Sequence, residues 1–177
     1  MSDWPRTVQP NSVVISPLSL QSIGLELAAL VSGTAASTWP SACLAIFIPF
    51  SVERPTTITQ MFTDNSASFS GNIDVGIYDA GGSLLVSSGS VSQSASAIQT
   101  FNITDTTLNP GLYYLAAVQD VACGGMSRAA GATASGVIRA LGVVQMASAY
   151  PLPATATFAS AGVAYIPIVC ATQRSVI

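Results

Sequence analysis

Residues 71–120 read GNIDVGIYDAGGSLLVSSGSVSQSASAIQTFNITDTTLNPGLYYLAAVQD, and the periodicity of this stretch sets the fold class. Ile73, Val75 and Ile77 alternate with Asn72, Asp74 and Tyr78, the period of a strand that buries one face. Asp79-Ala80-Gly81-Gly82 follows with glycines able to take positive φ, as a tight hairpin requires. A second run, 98–104, alternates through Ile98, Phe101 and Ile103, with a slip at Gln99-Thr100. Asn109-Pro110-Gly111 predicts a type II turn, with Pro presetting φ and Gly accepting a positive one. Leu112 to Val121 then predicts a long apolar strand with two tyrosines. Together the three runs predict one compact antiparallel sheet with Ile73, Val75, Ile77, Phe101, Ile103, Leu115 and Val118 in its core.

Working outward, 12–18 predicts a short strand with Pro17 marking it as an edge. The segment 20–39 suits a strand or a short helix, and 32–40 reads as a small-residue loop. Residues 41–50 predict a core strand apolar on both faces, Leu44, Ile46 and Ile48 against Cys43, Ala45 and Phe47, which marks a central strand or an interface. Arg54-Pro55 breaks the pattern. It resumes at 56–63, with Ile58, Gln60 and Phe62 opposing Thr57, Thr59 and Met61. Residues 124–136 are rich in Gly, Ala and Ser and allow one helical turn around 126–130. Residues 137–147 are apolar, and 165–171 predict the last strand. The whole predicts an all-β, two-sheet antiparallel sandwich over 13–177. Residues 1–12 form an extended N-terminal arm in this reading, with Trp4 as its anchor.

Composition narrows the function. Of 177 residues, 7% are charged and 50% are hydrophobic, and the net charge is −3. An ordinary soluble domain carries roughly 25% charged residues. So few charges leave Ser and Thr to coat the surface and leave apolar area to meet other protein, which points to a homo-oligomer. Nucleic acid is excluded as a partner because a basic footprint is missing. A membrane is excluded because the longest nearly unbroken apolar run, 43–50, falls far short of the ~20 residues a spanning helix needs. The chain opens without a secretory signal pattern, and synthesis in a cytoplasm is expected.

The chemistry of catalysis is missing too. There is no histidine, the usual acid–base group near neutral pH, and no P-loop, dinucleotide fingerprint or nucleophile elbow. No enzyme activity and no cofactor are expected. Asp74, Asp79 and Asp120 could offer hard oxygens to calcium, yet aspartates at strand ends ordinarily bond backbone, and no metal is expected. Cys43 and Cys170 are predicted reduced and buried as small hydrophobes, with Cys123 beside two glycines as the exception. Trp39, Tyr78, Tyr113 and Tyr150 are the aromatics that could stack on sugar rings, against their commoner role in sandwich cores. Asn102-Ile103-Thr104 matches a glycosylation sequon by coincidence in a chain expected to stay in the cytoplasm.

Asn72 with Val75-Gly76-Ile77-Tyr78-Asp79, Gly82-Ser83-Leu84 through Ser88-Gly89, and Leu108-Asn109-Pro110-Gly111 with Tyr113-Tyr114-Leu115-Ala116 form a pattern. It resembles jelly-roll β-sandwich virion proteins of tailed bacteriophages, of the capsid decoration or cement type. Pro151-Leu152-Pro153-Ala154-Thr155 with Phe158, and Tyr165 to Val169, resemble the closing segment of such modules. Similar modules occur among carbohydrate-binding domains. The resemblance implies a jelly-roll-like fold and a place in the virion. It implies a structural role on the capsid shell, and partners that include the major capsid protein and further copies of the chain, a trimer above all. Trp4, Pro5, Arg6 and Trp39 are the expected interface residues. The alternative it leaves open is a tail, collar or fibre-tip module that binds host-surface glycans.

Overall fold

A computed structural model describes residues 14–15, 34–66, 70–94, 98–122, 124–129 and 135–172. Its strands in chain order are β1 (Val14–Ile15), β2 (Thr34–Thr38), β3 (Ala45–Val52), β4 (Thr56–Asp64), β5 (Asn72–Asp79), β6 (Leu84–Ser87), β7 (Val91–Ser92), β8 (Ile98–Leu108), β9 (Gly111–Gln119), β10 (Gly125–Ala129), β11 (Val144–Met146), β12 (Ala159–Ser160) and β13 (Val169–Thr172). One short helix, α1 (Ser135–Ala140), precedes β11. All the pairings are antiparallel. One sheet has the order β1-β13-β4-β8, and a larger one β12-β11-β3-β9-β5-β6 with β7 also on β5. A small third sheet joins β10 to β2.

The pairings nest. β3 pairs with β9, β4 with β8, and β5 with β6. The chain crosses between the two main sheets from β3 to β4 and back from β4 to β5, and again from β7 to β8 and from β8 to β9. This is one long β-hairpin rolled over on itself, the jelly-roll arrangement. Between the sheets Ile46, Ile48, Phe50, Ile73, Val75, Ile77 and Leu115 face Ile58, Met61, Phe101, Ile103, Leu108 and Val169 in one apolar cluster.

The large sheet is dry on its other face as well. Ala45, Phe47, Tyr78, Ala116 and Val118 form a second cluster with Ala149, Leu152 and Ala156 of the segment returning between β11 and β12. Phe47 meets Tyr78 and Phe158 edge-on, with ring centroids 5.2 and 5.0 Å apart. Hydrogen bonds hold this cover down. Asp74, 1% exposed, accepts from Ser87 Oγ at 2.6 Å, Ser88 Oγ at 3.2 Å and the Leu152 amide at 3.0 Å. The Tyr78 hydroxyl donates to the Pro153 carbonyl at 2.7 Å. The Leu84 amide donates to Ala154 O, and the Ala156 amide to Gly82 O. Gly82 has φ +88, and a Cβ there would stand 2.5 Å from Ala156 O. The β5–β6 turn therefore admits only glycine where the cover crosses it.

Several expectations are corrected. Asn109-Pro110 does not close a hairpin; it carries the chain from β8 in one sheet to β9 in the other, and Gly111 takes no positive φ. Val118 lies on the outer face, since Leu115 and Val118 differ by an odd number along a period-2 strand. Ile98 is exposed. The register of β4 on β8 slips between Ile58 and Gln60, where Thr59 of β4 lies against 103–105 of β8, and Met61 and Thr63 turn inward while Phe62 does not. The expected loop 32–40 holds β2, and the expected helical turn near Met126 is the strand that pairs with it. The helix comes later, where the Gly/Ala/Ser-rich stretch passes into the apolar run 137–147. Cys43 is not in a strand: it sits half-buried in a turn with φ 57, its thiol donating to Asp120 O at 3.8 Å. Cys170 is buried as expected. The arm 1–12, the segment 20–31 and Cys123 lie outside the described residues. Pro49 is tolerated in a central strand because β11 reaches only Phe47 along β3, so no ladder bond is asked of its missing N–H.

Three outcomes follow. Phe47→Ala, which empties the space between Tyr78 and Phe158, is expected to cost about 3–5 kcal/mol in urea unfolding. Peptide mapping after a brief pulse of a thiol reagent should find Cys43 labelled well before Cys170. The third concerns pH. Burial raises the Tyr78 and Tyr165 phenols above their ordinary 10. Their neutral forms therefore favour the folded chain fully below pH 10, and this contribution is lost as pH rises further. The urea midpoint should fall as pH rises above 10, less steeply in Tyr78→Phe.

Candidate contact face

The residues expected to carry contacts are placed as follows. Trp4, Pro5 and Arg6 lie outside the described residues. Trp39 is in the core, at 1% exposure. Its indole N–H donates to the Leu44 carbonyl at 3.0 Å, its amide bonds Gly124 O, and its ring stands edge-on to Tyr165 at 5.3 Å. A buried indole must find an acceptor, and this one has done so inside the molecule, so Trp39 is no surface residue.

The other proposed stacking aromatics are engaged as well. Tyr78 is buried under the cover. Tyr113, half-buried, stacks on Phe50 and donates its hydroxyl to Asn109 O at 2.8 Å. The half-buried Tyr150, whose bond to Pro151 is cis, shares a hydrogen bond between its hydroxyl and that of Ser90. The aspartates are dispersed in the same way. Asp79 accepts the Ser83 amide at 2.8 Å within its turn. Asp120 accepts the backbone and side-chain amides of Asn72, each at 2.8 Å. Asp74 holds the cover. Each carboxylate is taken up by hydrogen bonds within the fold.

Among the described residues, the rest of the outer face of the large sheet is left open. Register puts Pro49, Tyr114 and Tyr78 in one row across β3, β9 and β5, and Ser51 beside Leu112 in a parallel row. Alternation places all of these on the same side as Phe47. The cover reaches Phe158, whose ring meets Tyr114 at 4.7 Å, and it ends there. Beyond it Leu112 is 48% exposed, and Pro49, Tyr114 and Phe158 are half-buried, as are Val144 and Met146 of β11, which pack against the same cluster. Apart from Ser51 and the Tyr114 hydroxyl, the side chains of this shelf are apolar, and none is charged. A shelf of that kind gains by losing water against another surface.

Sequence reading missed this shelf. Tyr113 and Tyr114 are neighbours and so face opposite ways; Tyr113 was the one named, and Tyr114 is the one that faces out. Phe158, the lone aromatic in PLPATATFAS, was the available signal for where the cover lies.

No family model matches the chain, and no curated protein does. Among solved structures the chain is similar to chitosan-binding module 1 from the chitosanase/glucanase of Paenibacillus sp. IK-5. That similarity has a TM-score of 0.37 and 12% identity, over 66% of this chain and 89% of that one.

Leu112→Asp should cost no more than about 1 kcal/mol of unfolding stability, since about half of the side chain is already in water. The same change should lower any self-association seen by sedimentation, because it puts a charge on the shelf.

Proposed function

We propose that the protein is a non-catalytic structural subunit of a tailed-phage virion, acting as a capsid decoration or cement protein. The observation that carries the reading is the uncharged shelf of Leu112, Tyr114, Pro49 and Phe158 on a sandwich with few charges anywhere. Burial of apolar area is the driving force such a surface offers, and it suits permanent attachment to a protein lattice. The phage setting and a trimer are supported by the sequence resemblance, and homo-oligomers by the composition. The chain's partners in this reading are its own copies and the major capsid protein, in a virion assembled in the host cytoplasm.

The alternative, a tail, collar or fibre-tip module for host-surface glycans, loses Trp39 and Tyr78 as stacking platforms because both are buried. Adding the purified protein to particles that lack it, then locating it by cryo-EM, tests the reading. The expected result is density on the shell, with Leu112→Asp attaching at least tenfold more weakly. Density at the tail, together with glycan-array binding lost on Tyr114→Ala, would establish the alternative.

A further inference from the structure

At the end of the sandwich where β7, β9 and β10 meet, a network of side-chain amides does not close on itself. Its outer part is satisfied. Asn65 Nδ2 donates to Ser94 O at 3.0 Å and to Gln99 Oε1 at 2.8 Å, and Asn65 Oδ1 accepts from Thr63 Oγ1 at 3.0 Å. Gln93 Nε2 donates to the Gly125 carbonyl at 2.9 Å. Further in, Gln93 Oε1 and both amide atoms of Gln119 have no partner, although the two residues are only 4% and 0% exposed. Gly124 shows where they point. A Cβ at that position would stand 2.0 Å from Gln119 Oε1 and 2.5 Å from Gln93 Oε1. The two oxygens converge over one bare Cα and lie no farther apart than those two lengths together.

Two acceptors cannot satisfy one another. Turning the Gln119 amide end for end would bring its nitrogen towards Gln93 Oε1, the competing arrangement; as the amides stand, both oxygens lack a donor. The site needs a guest that gives protons to the oxygens. A metal ion is the wrong guest, because the neighbouring carboxylate, that of Asp120, is turned to Asn72. A cation held by two neutral oxygens would not recover its lost hydration. A water molecule has the right properties. Donating at about 2.8 Å to each acceptor, one water can reach both oxygens. It also keeps lone pairs to accept an N–H.

We infer that Gln93 and Gln119 hold a permanently buried water above Gly124, a hydration site that ties the end of β9 to the β7–β10 junction. A crystal structure of the unaltered protein, with solvent resolved, decides it. The expected result is an ordered water within hydrogen-bond distance of both amides. Water-oxygen-17 relaxation dispersion should also lose the contribution of one long-lived molecule in Gln119→Met. Should that variant fail to fold, the electron density of the parent decides alone. Density with the two amides bonded directly and nothing between them would overturn the inference. So would an ion at the site, seen as a melting temperature that rises with calcium chloride or sodium chloride at fixed ionic strength.

Discussion

A sheet that is apolar on both faces has to be covered twice, and the rest of this molecule is arranged around that requirement. β3, β9 and β5 carry hydrophobic side chains in both phases of their alternation. The smaller sheet covers one face by the rolling of the hairpin. The other is covered by a stretch of irregular chain, which has no ladder of its own to hold it. Its place is set by side chains rising from the sheet, the Asp74 carboxylate and the Tyr78 hydroxyl, which bond the amide of Leu152 and the carbonyl of Pro153. Hydrogen bonds to a charged group contribute roughly 1.5–3 kcal/mol, and beneath the cover no water competes for them.

The same requirement accounts for the contact shelf. The cover is shorter than the sheet it lies on. Where it stops at Phe158, the rows through Tyr114 and Leu112 continue with nothing above them among the described residues. The apolar character that makes β9 a good central strand therefore continues into a surface suited to meeting another protein.

The core of the sandwich was legible in the sequence because period 2 is a local property: Ile73, Val75 and Ile77 declare their face without help from distant residues, and β3 declared both of its faces. What could not be read locally came out wrong. The turn chemistry at Asn109-Pro110-Gly111 identifies a turn but not whether the next strand joins the same sheet. A slip in the β4–β8 register at Thr59, where β8 carries the extra residues, reverses every later assignment in β4, and composition does not announce it. Asp74 looked like the polar, solvent-facing member of an alternating strand; only the distant segment around Leu152, folding back over it, makes it a buried anchor. Trp39 was placed on the surface by its loop-like neighbours, whereas the carbonyl of Leu44 and the ring of Tyr165 draw it inside. Strand β10, made of Gly, Met, Ser, Arg and Ala, has no strand signature at all and is extended because β2 pairs with it.

The nesting of the strand pairs also governs how the chain reaches this state. Ile46 pairs with Ala117, and Val52 with Gly111, so the first long strand of the roll to be made has to wait for the ninth. Closing loops of that length costs entropy before any contact repays it, and topologies of this kind fold slowly. During synthesis β3 leaves the ribosome with both faces apolar and no neighbour for either, while the hairpin of β5 and β6 can form as soon as its own residues emerge. The interval between those events is the period in which the chain is most exposed to aggregation. Its length is set by the distance from β3 to β9 along the chain rather than by the strength of any contact in the finished sandwich.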